Sequence, residues 1–275
     1  MIEEHLQALL TRAAQTPAVV LASDFDGTLA PFRLDPMAVR PLPAAMAALR
    51  QAAGQAGVTV ALVSGRDLGT LRSLSAVDVE EAIVLVGSHG AESSLPDDPS
   101  APPTGLTADQ RALLGDVEAA LEAICRRYPG AWIERKTTAR ALHTRPLAQA
   151  DSDAALAEAL AAAAAFPQIH VLTGKCVVEL PVVEANKGTA LRMLATARSA
   201  EATVYFGDDV TDERAFVALD PGAGDVTVKV GDGHTSAIAR VPAIADVIEC
   251  LELFVQVRAA ATAETRQRAG DEQRG

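Results

Sequence analysis

Aromatic side chains are scarce, with one Trp, two Tyr and six Phe in 275 residues. Any core must therefore be built from Ala, Val, Leu and Ile. Cysteine is rare as well. Cys125, Cys176 and Cys250 are odd in number and widely spaced. They fit a reducing compartment and core packing better than disulfides or a zinc site, so a cytoplasmic location is expected. Basic residues are in deficit, 24 Lys and Arg against 36 Asp and Glu, for a net charge of −12. Nucleic acid and anionic membrane surfaces, which call for basic patches, are thereby disfavoured as partners. No apolar run reaches the length of a membrane span. The opening MIEEHLQALL carries acids and no long apolar segment, so it does not read as a signal peptide.

What the chain does have is 49% hydrophobic residues over a length that allows two domains. It also has one stretch, Val19 to Leu29, where an apolar run drives straight into Asp24 and Asp26. Such a run reads as a strand buried on both faces. Bare carboxylates at its end are costly unless something pairs them. In open parallel sheets ligands sit outside the carboxyl ends of the strands. Asp24 and Asp26 therefore mark a metal or phosphate site at a strand tip.

Around this stretch the pattern alternates. Residues 2–15 read as a helix, 43–56 as another, and 66–75 as a third. Val58 to Val63 and Ala82 to Val86 read as buried strands, which makes βαβαβ and a parallel sheet. Leu95 to Gly105, rich in Pro and Asp, reads as a linker. Beyond it the style changes. A long helix over 107–128 is followed by strands at 132–136 and 139–145, a helix at 152–165, and strands at 168–172 and 176–180. The first style then resumes, with a helix opened by Asn186-Lys187-Gly188, a strand over Thr203 to Phe206, a helix at 211–219, strands near 226–230 and 241–245, and a helix at 246–258. The fold class expected is α/β: a Rossmann-like parallel-sheet core over 1–104 and 184–260, an inserted α/β domain over 105–183, and a disordered tail at 261–275. The chain is expected to be a monomer.

Four polar clusters follow apolar runs or open a helix: Asp24/Asp26, Ser64/Arg66, Lys187, and Asp208/Asp209/Asp212. Each alone has a plain explanation. A lone Asp-x-Asp is often a solvated turn, and Ser64-Gly65-Arg66 suits a helix cap. Lys187 alone suits an exposed lysine, and the aspartates suit a helix N-terminus. A parallel sheet, however, brings all four to one edge. Several carboxylates there suit Mg²⁺ together with a phosphate. A Lys and a Ser can donate to phosphate oxygens. One acid can then act as nucleophile and another as general acid and base.

DFDGTL (24–29), the strand-terminal SGR (64–66), NKG (186–188) and GDDVTDE (207–213) together resemble the four motifs of the haloacid dehalogenase superfamily. GDDVTDE and the inserted αββαββ segment resemble the trehalose-6-phosphate phosphatase family in particular. So do GSHGAE (87–92), ERKTTARALHTR (134–145) and GKCVVELP (174–181). The resemblance implies a haloacid-dehalogenase-type core and hydrolysis of trehalose 6-phosphate to trehalose and phosphate, the final step of trehalose biosynthesis. It implies Asp24 as nucleophile, Asp26 as acid and base, and Ser64 and Lys187 on the phosphoryl oxygens. It places Mg²⁺ on Asp24, the Asp26 carbonyl and Asp208, with Asp209 or Asp212 orienting its waters. The insertion would be a cap that closes over the substrate. Its alternating strands put Glu134, Lys136, Arg145, Lys175 and Glu179 on polar faces, which with Arg66 are the expected substrate-binding residues. His89 and Glu92 are read either as lining the cleft or as a turn. Trp132 shares parity with Glu134 and is read as packing within the insertion. Ala139, Thr144 and Leu180 stand where the family usually carries Ser, Tyr and Arg, which bears on sugar selectivity. Rival readings are a phosphatase for sucrose phosphate, mannosyl-phosphoglycerate or a hexose phosphate, a phosphotransferase or mutase, and a non-catalytic sugar-phosphate sensor.

Overall fold

The computed structural model describes residues 2–95, 105–183 and 185–272, so most of the linker expected at Leu95 to Gly105 lies outside the described residues. In chain order the elements are α1 (Glu4–Gln15), β1 (Val19–Ser23), α2 (Pro43–Ala53), β2 (Val58–Val63), α3 (Leu68–Ser75), β3 (Ile83–Gly87), β4 (Glu92–Ser93), α4 (Ala108–Arg127), β5 (Trp132–Arg135), β6 (Ala139–His143), α5 (Gln149–Ala163), β7 (Leu172–Gly174), β8 (Val177–Pro181), α6 (Lys187–Ala197), β9 (Ala202–Gly207), α7 (Val210–Ala218), β10 (Val226–Val230), β11 (Ala239–Val241) and α8 (Ile244–Glu272). They divide into two compact units, Met1–Thr104 with Asn186–Gly275, and Gly105–Ala185.

The first unit holds a seven-stranded sheet in the order β11-β10-β9-β1-β2-β3-β4. Only the two-residue β4 runs antiparallel. β1 is central, paired with β2 through Val19↔Val58 to Ser23↔Leu62 and with β9 through Val19↔Ala202 to Ser23↔Phe206. The two-residue pleat splits its side chains between two cores. Val19 and Leu21 pack with α1, α2 and α8, while Val20 and Ala22 pack with α6 and α7. This is the doubly wound layering expected of a parallel sheet. Local chemistry starts the helices. Pro43 sits in the first turn of α2. Asp67 accepts from Thr70 N at 2.8 Å ahead of α3, and Asn186 accepts from Thr189 N at 2.9 Å ahead of α6.

The second unit is a four-stranded antiparallel sheet, β5-β6-β8-β7, with α4 and α5 packed on one face. Leu114, Val117, Leu121 and Ile124 of α4 meet Leu142, Val178 and Leu180 there. α4 opens with a capping box between Thr107 and Gln110.

Three expectations change. The strand expected at 241–245 lies at Ala239–Val241, because α8 already begins at Ile244. The strand expected at 168–172 lies instead at Leu172–Gly174, because Gly174 pairs with Val177 across a two-residue turn and that turn fixes the register. The frayed tail expected from 261 is helical through Glu272, a continuation of α8. Among the described residues no helix is long and apolar enough to cross a membrane, and the three cysteines are free.

Candidate active site

β1 ends at Ser23, and Asp24 follows with its backbone N–H donated to Phe206 O of β9 at 2.8 Å. That bond carries the sheet pairing one step past the strand and leaves the Asp24 carboxylate at the tip, 4% exposed. Lys187, the first residue of α6, is 2% exposed, so the surface-lysine explanation fails. Its Nζ lies 2.8 Å from Asp24 Oδ1 and 2.8 Å from Asp212 Oδ1. Asp212 sits in the first turn of α7 and is fully buried.

Asp212 is saturated. Its Oδ1 accepts from Lys187 Nζ at 2.8 Å and Tyr205 OH at 2.6 Å, and its Oδ2 accepts from the backbone N–H groups of Asp208 and Asp209, each at 3.0 Å. Two carboxylate oxygens offer about four lone-pair sites, and all are engaged. Asp209 is exposed, and its carboxylate accepts from Val210 N at 2.7 Å as the cap of α7. Asp208 lies beside Gly27, whose φ is +74°, and a Cβ there would run into the Asp208 carboxylate. Glycine at 27 is thus required both by the backbone conformation and by the close approach. Thr28 Oγ1 lies 3.4 Å from Asp208 Oδ1, and Lys229 Nζ donates to the Asp208 carbonyl.

The acids crowd one another. Burial pushes the Asp24 carboxyl up to about 8, with Lys187 pulling it down and Asp212 raising it again. Burial, then Asp212 and Asp209, push Asp208 up to about 6. Burial works to lower the Lys187 ammonium, but Asp24 and Asp212 outweigh it and its pKa rises. One carboxylate oxygen each from Asp24, Asp208 and Asp212 lies within 4.8 Å of the others. Buried, crowded hard-oxygen donors of this kind fit Mg²⁺. Because Asp212 is already saturated, Asp24 and Asp208 are the better direct donors and Asp212 the group that orients them.

Asp26 forms a bidentate pair with Arg66, Nε to Oδ2 at 2.6 Å and Nη2 to Oδ1 at 2.7 Å. The Arg66 pKa is raised chiefly by that bonding. Arg66 is therefore engaged by the acid expected to shuttle protons. Ser64 is buried one residue past β2, and its Oγ accepts from Arg66 N at 3.2 Å. Glu92 is buried, with Oε2 accepting from Leu68 N at 2.7 Å, and His89 takes a left-handed turn at φ +56°. His89 lies in the turn between β3 and β4 and Glu92 opens β4 just beyond it, and together they brace the Ser64–Arg66 loop.

Within the second unit Lys136 Nζ pairs with Glu179 Oε2 at 2.6 Å and His143 Nε2 meets Glu134 Oε2 at 2.9 Å. Arg145 and Lys175 are exposed. Trp132 is not packed inside the insertion. It is 48% exposed and stacked on His143. Sequence reasoning missed Tyr205 and Lys229. Each carries a hydrogen-bonding group near the C-terminal end of a strand whose other residues are apolar or threonine, and that is the available signal.

The Trehalose-phosphatase family model matches residues 22–242. The chain is 32% identical over 233 residues to the trehalose-6-phosphate phosphatase of Escherichia coli (strain K12), covering 84% of each. It is 35% identical over 263 residues to the trehalose-phosphate phosphatase of Mycobacterium marinum, covering 90% of this chain and 64%, just under two thirds, of that relative's length. The crystal structure of Aspergillus fumigatus trehalose-6-phosphate phosphatase superposes with a TM-score of 0.70 over 91% of this chain and 97% of that one, at 24% identity, a likeness of fold. With a family match over most of its length and a relative of this identity and coverage, the chain belongs to the trehalose-phosphatase family, whose members are phosphoric monoester hydrolases.

Proposed function

We propose that this protein hydrolyses trehalose 6-phosphate to trehalose and inorganic phosphate. The observation that carries the reading is the buried Asp24 at the tip of β1, held by Lys187 within reach of Asp208 and Asp212. In the first step an Asp24 carboxylate oxygen attacks phosphorus in line. The Asp24 O–P bond forms as the bond from phosphorus to the sugar oxygen breaks, and Asp26 gives that oxygen its proton. In the second step water attacks phosphorus, Asp26 takes the water proton, and the Asp24 O–P bond breaks to release phosphate. Arg66 orients Asp26 at rest through both carboxylate oxygens, and the oxygen that carries the proton is released from that pair during the transfer. Lys187 and Ser64 hold the phosphoryl oxygens. Mg²⁺ would be held by Asp24, the Asp26 carbonyl and Asp208. When bound it neutralises carboxylate charge and the charge that builds on the transferring group.

The inserted unit is proposed as the cap. Glu134, Lys136, Arg145, Lys175 and Glu179 supply its hydrogen-bonding groups for sugar hydroxyls. The test is phosphate release from trehalose 6-phosphate, sucrose 6-phosphate and glucose 6-phosphate with Mg²⁺. Trehalose 6-phosphate is expected to lead in kcat/KM by about tenfold or more. Equal values across the three would overturn the substrate. Asp24→Asn is expected to cut kcat by at least ~10³-fold with the fold intact. Substantial remaining turnover would remove Asp24 as nucleophile.

A further inference from the structure

We propose that Trp132 is a specificity-determining residue. With the imidazole of His143 it forms an aromatic platform against which one pyranose ring of the substrate stacks. The inference deepens the sugar-phosphate reading and rests on it.

The position follows from the pleat. Along β5, Ile133 faces α4 and α5, so Trp132 and Glu134 fall on the other face. Register places Trp132 opposite His143, and His143 opposite Val177. The next row is Glu134, Ala141 and Glu179. The indole and imidazole centroids are 4.3 Å apart with planes 9° from parallel. His143 is fixed from its edge by Glu134 Oε2 at 2.9 Å. The rings are thus held in place before any ligand arrives.

The chain buries five of its nine Phe, Tyr and Trp rings, and Phe32, 71% exposed, is open to solvent besides Trp132. Tyr205, Phe25, Phe206 and Phe254 are fully buried, yet its one tryptophan is 48% exposed on the edge strand of a sheet. One indole face is covered by the imidazole, and the remaining surface is open beside hydrogen-bonding groups. A pyranose matches that combination. Its C–H faces carry slight positive charge and meet the negative face of an aromatic ring. Its hydroxyl rim suits the carboxylates of Glu134 and Glu179 and the ammonium of Lys136. A single indole among charged residues is too small for a protein-docking patch. Two carboxylates beside it disfavour an anion.

Because Trp132 is the only tryptophan, selectively excited emission of the full chain reports this one ring. The emission is titrated with trehalose, sucrose, glucose and inorganic phosphate, and Trp132→Leu and Trp132→Phe are assayed on trehalose 6-phosphate and on an aryl phosphate. A saturable change with trehalose and none with inorganic phosphate is expected. Trp132→Leu should raise KM for trehalose 6-phosphate about tenfold while leaving aryl phosphate turnover within about twofold, and Trp132→Phe should recover KM to within about threefold. If emission and KM respond instead to sucrose or glucose and their phosphates, the platform stands and the trehalose reading falls. If trehalose 6-phosphate is cleaved selectively but emission is silent and Trp132→Leu keeps its KM, the platform is overturned and the trehalose reading stands.

Discussion

Asp212 shows how much a single side chain can depend on a residue with no chemistry of its own. Two of its four hydrogen bonds come from the backbone of the chain entering α7, one from Lys187 and one from Tyr205. Burial, followed by Asp212, raises the Tyr205 pKa well above the ordinary phenol value, so the hydroxyl remains a donor at any working pH. Its ring packs against Phe216, with centroids 6.0 Å apart. Tyr205→Phe keeps that packing and removes only the donor. The buried Asp212 Oδ1 would then lean on Lys187 alone, and Lys187 would be drawn from its position between the two acids. Expected outcomes are a kcat lower by roughly 10- to 100-fold with KM little changed, and a loss of about 2 kcal/mol in stability. Steady-state kinetics and denaturant unfolding would check both. Wild-type kcat in Tyr205→Phe would show that the bond does not position the site. At this scale the sequence displayed the acids but not their partners. Asp24, Asp26, Asp208 and Asp212 stand out because charge ends an apolar run. The pairing of Arg66 with Asp26 joins residues forty positions apart, and no local pattern encodes it.

At the scale of elements, the turn between β3 and β4 is a brace. Ser88 N donates to Arg66 O at 2.7 Å and His89 N to Ser64 O at 2.9 Å, so the turn grips both ends of the loop that carries Ser64 and Arg66. Glu92 adds its bond to Leu68 N, where α3 begins. On its other side a Cβ at Gly90, whose φ is +111°, would lie 2.9 Å from Asn186 O, the cap of the helix that carries Lys187. Ser88 and His89 hold φ of +48° and +56°, a strained conformation that persists only where neighbours impose it. Glu92→Ala is expected to free the start of α3 and let the Ser64–Arg66 loop drift, with kcat about tenfold lower and weaker binding of inorganic phosphate measured by calorimetry. Glu92→Gln keeps an acceptor for Leu68 N and should stay within about threefold of wild type. Equal behaviour of Ala and Gln variants would remove the brace. Elements were largely legible in the sequence where one signal dominated. The apolar runs of β1, β2 and β9 end within a residue or so of their expected places, because charged or polar residues stop them. β7 was misplaced because Ile169 and Val171 mimic a strand, while the turn at Lys175 and Cys176, with Cys176 at φ +61°, sets the pairing.

For the whole molecule, the first unit is assembled from two stretches of chain with the insertion between them, so its ends must find each other across that gap. β9 does this by pairing with β1, and α8 by packing on α1 and α2. Arg258 of α8 fixes the closure. It is 6% exposed, and its guanidinium donates to the carbonyls of Ala14, Thr16, Pro17 and Ala56. Among the described residues its partners are all main-chain carbonyls, and the burial pulls its pKa down from the usual guanidinium range. These carbonyls lie in the last turn of α1, just past it, and just ahead of β2, and the last carbonyls of a helix have no donor within it. Arg258→Met would keep the apolar stem and strand the carbonyls, each a buried acceptor that has lost its donor. About 3 kcal/mol of stability should go, seen as a melting midpoint lower by roughly 6–12 °C. The site lies at the opposite, carboxyl end of β1, so turnover per folded molecule should remain at the wild-type level. Scanning calorimetry beside a phosphate-release assay separates the two effects. A midpoint unchanged within a degree or two would mean that α8 is held by its apolar face alone. A fall in turnover beyond the folded fraction would mean instead that the closure of the two stretches reaches the tip of β1.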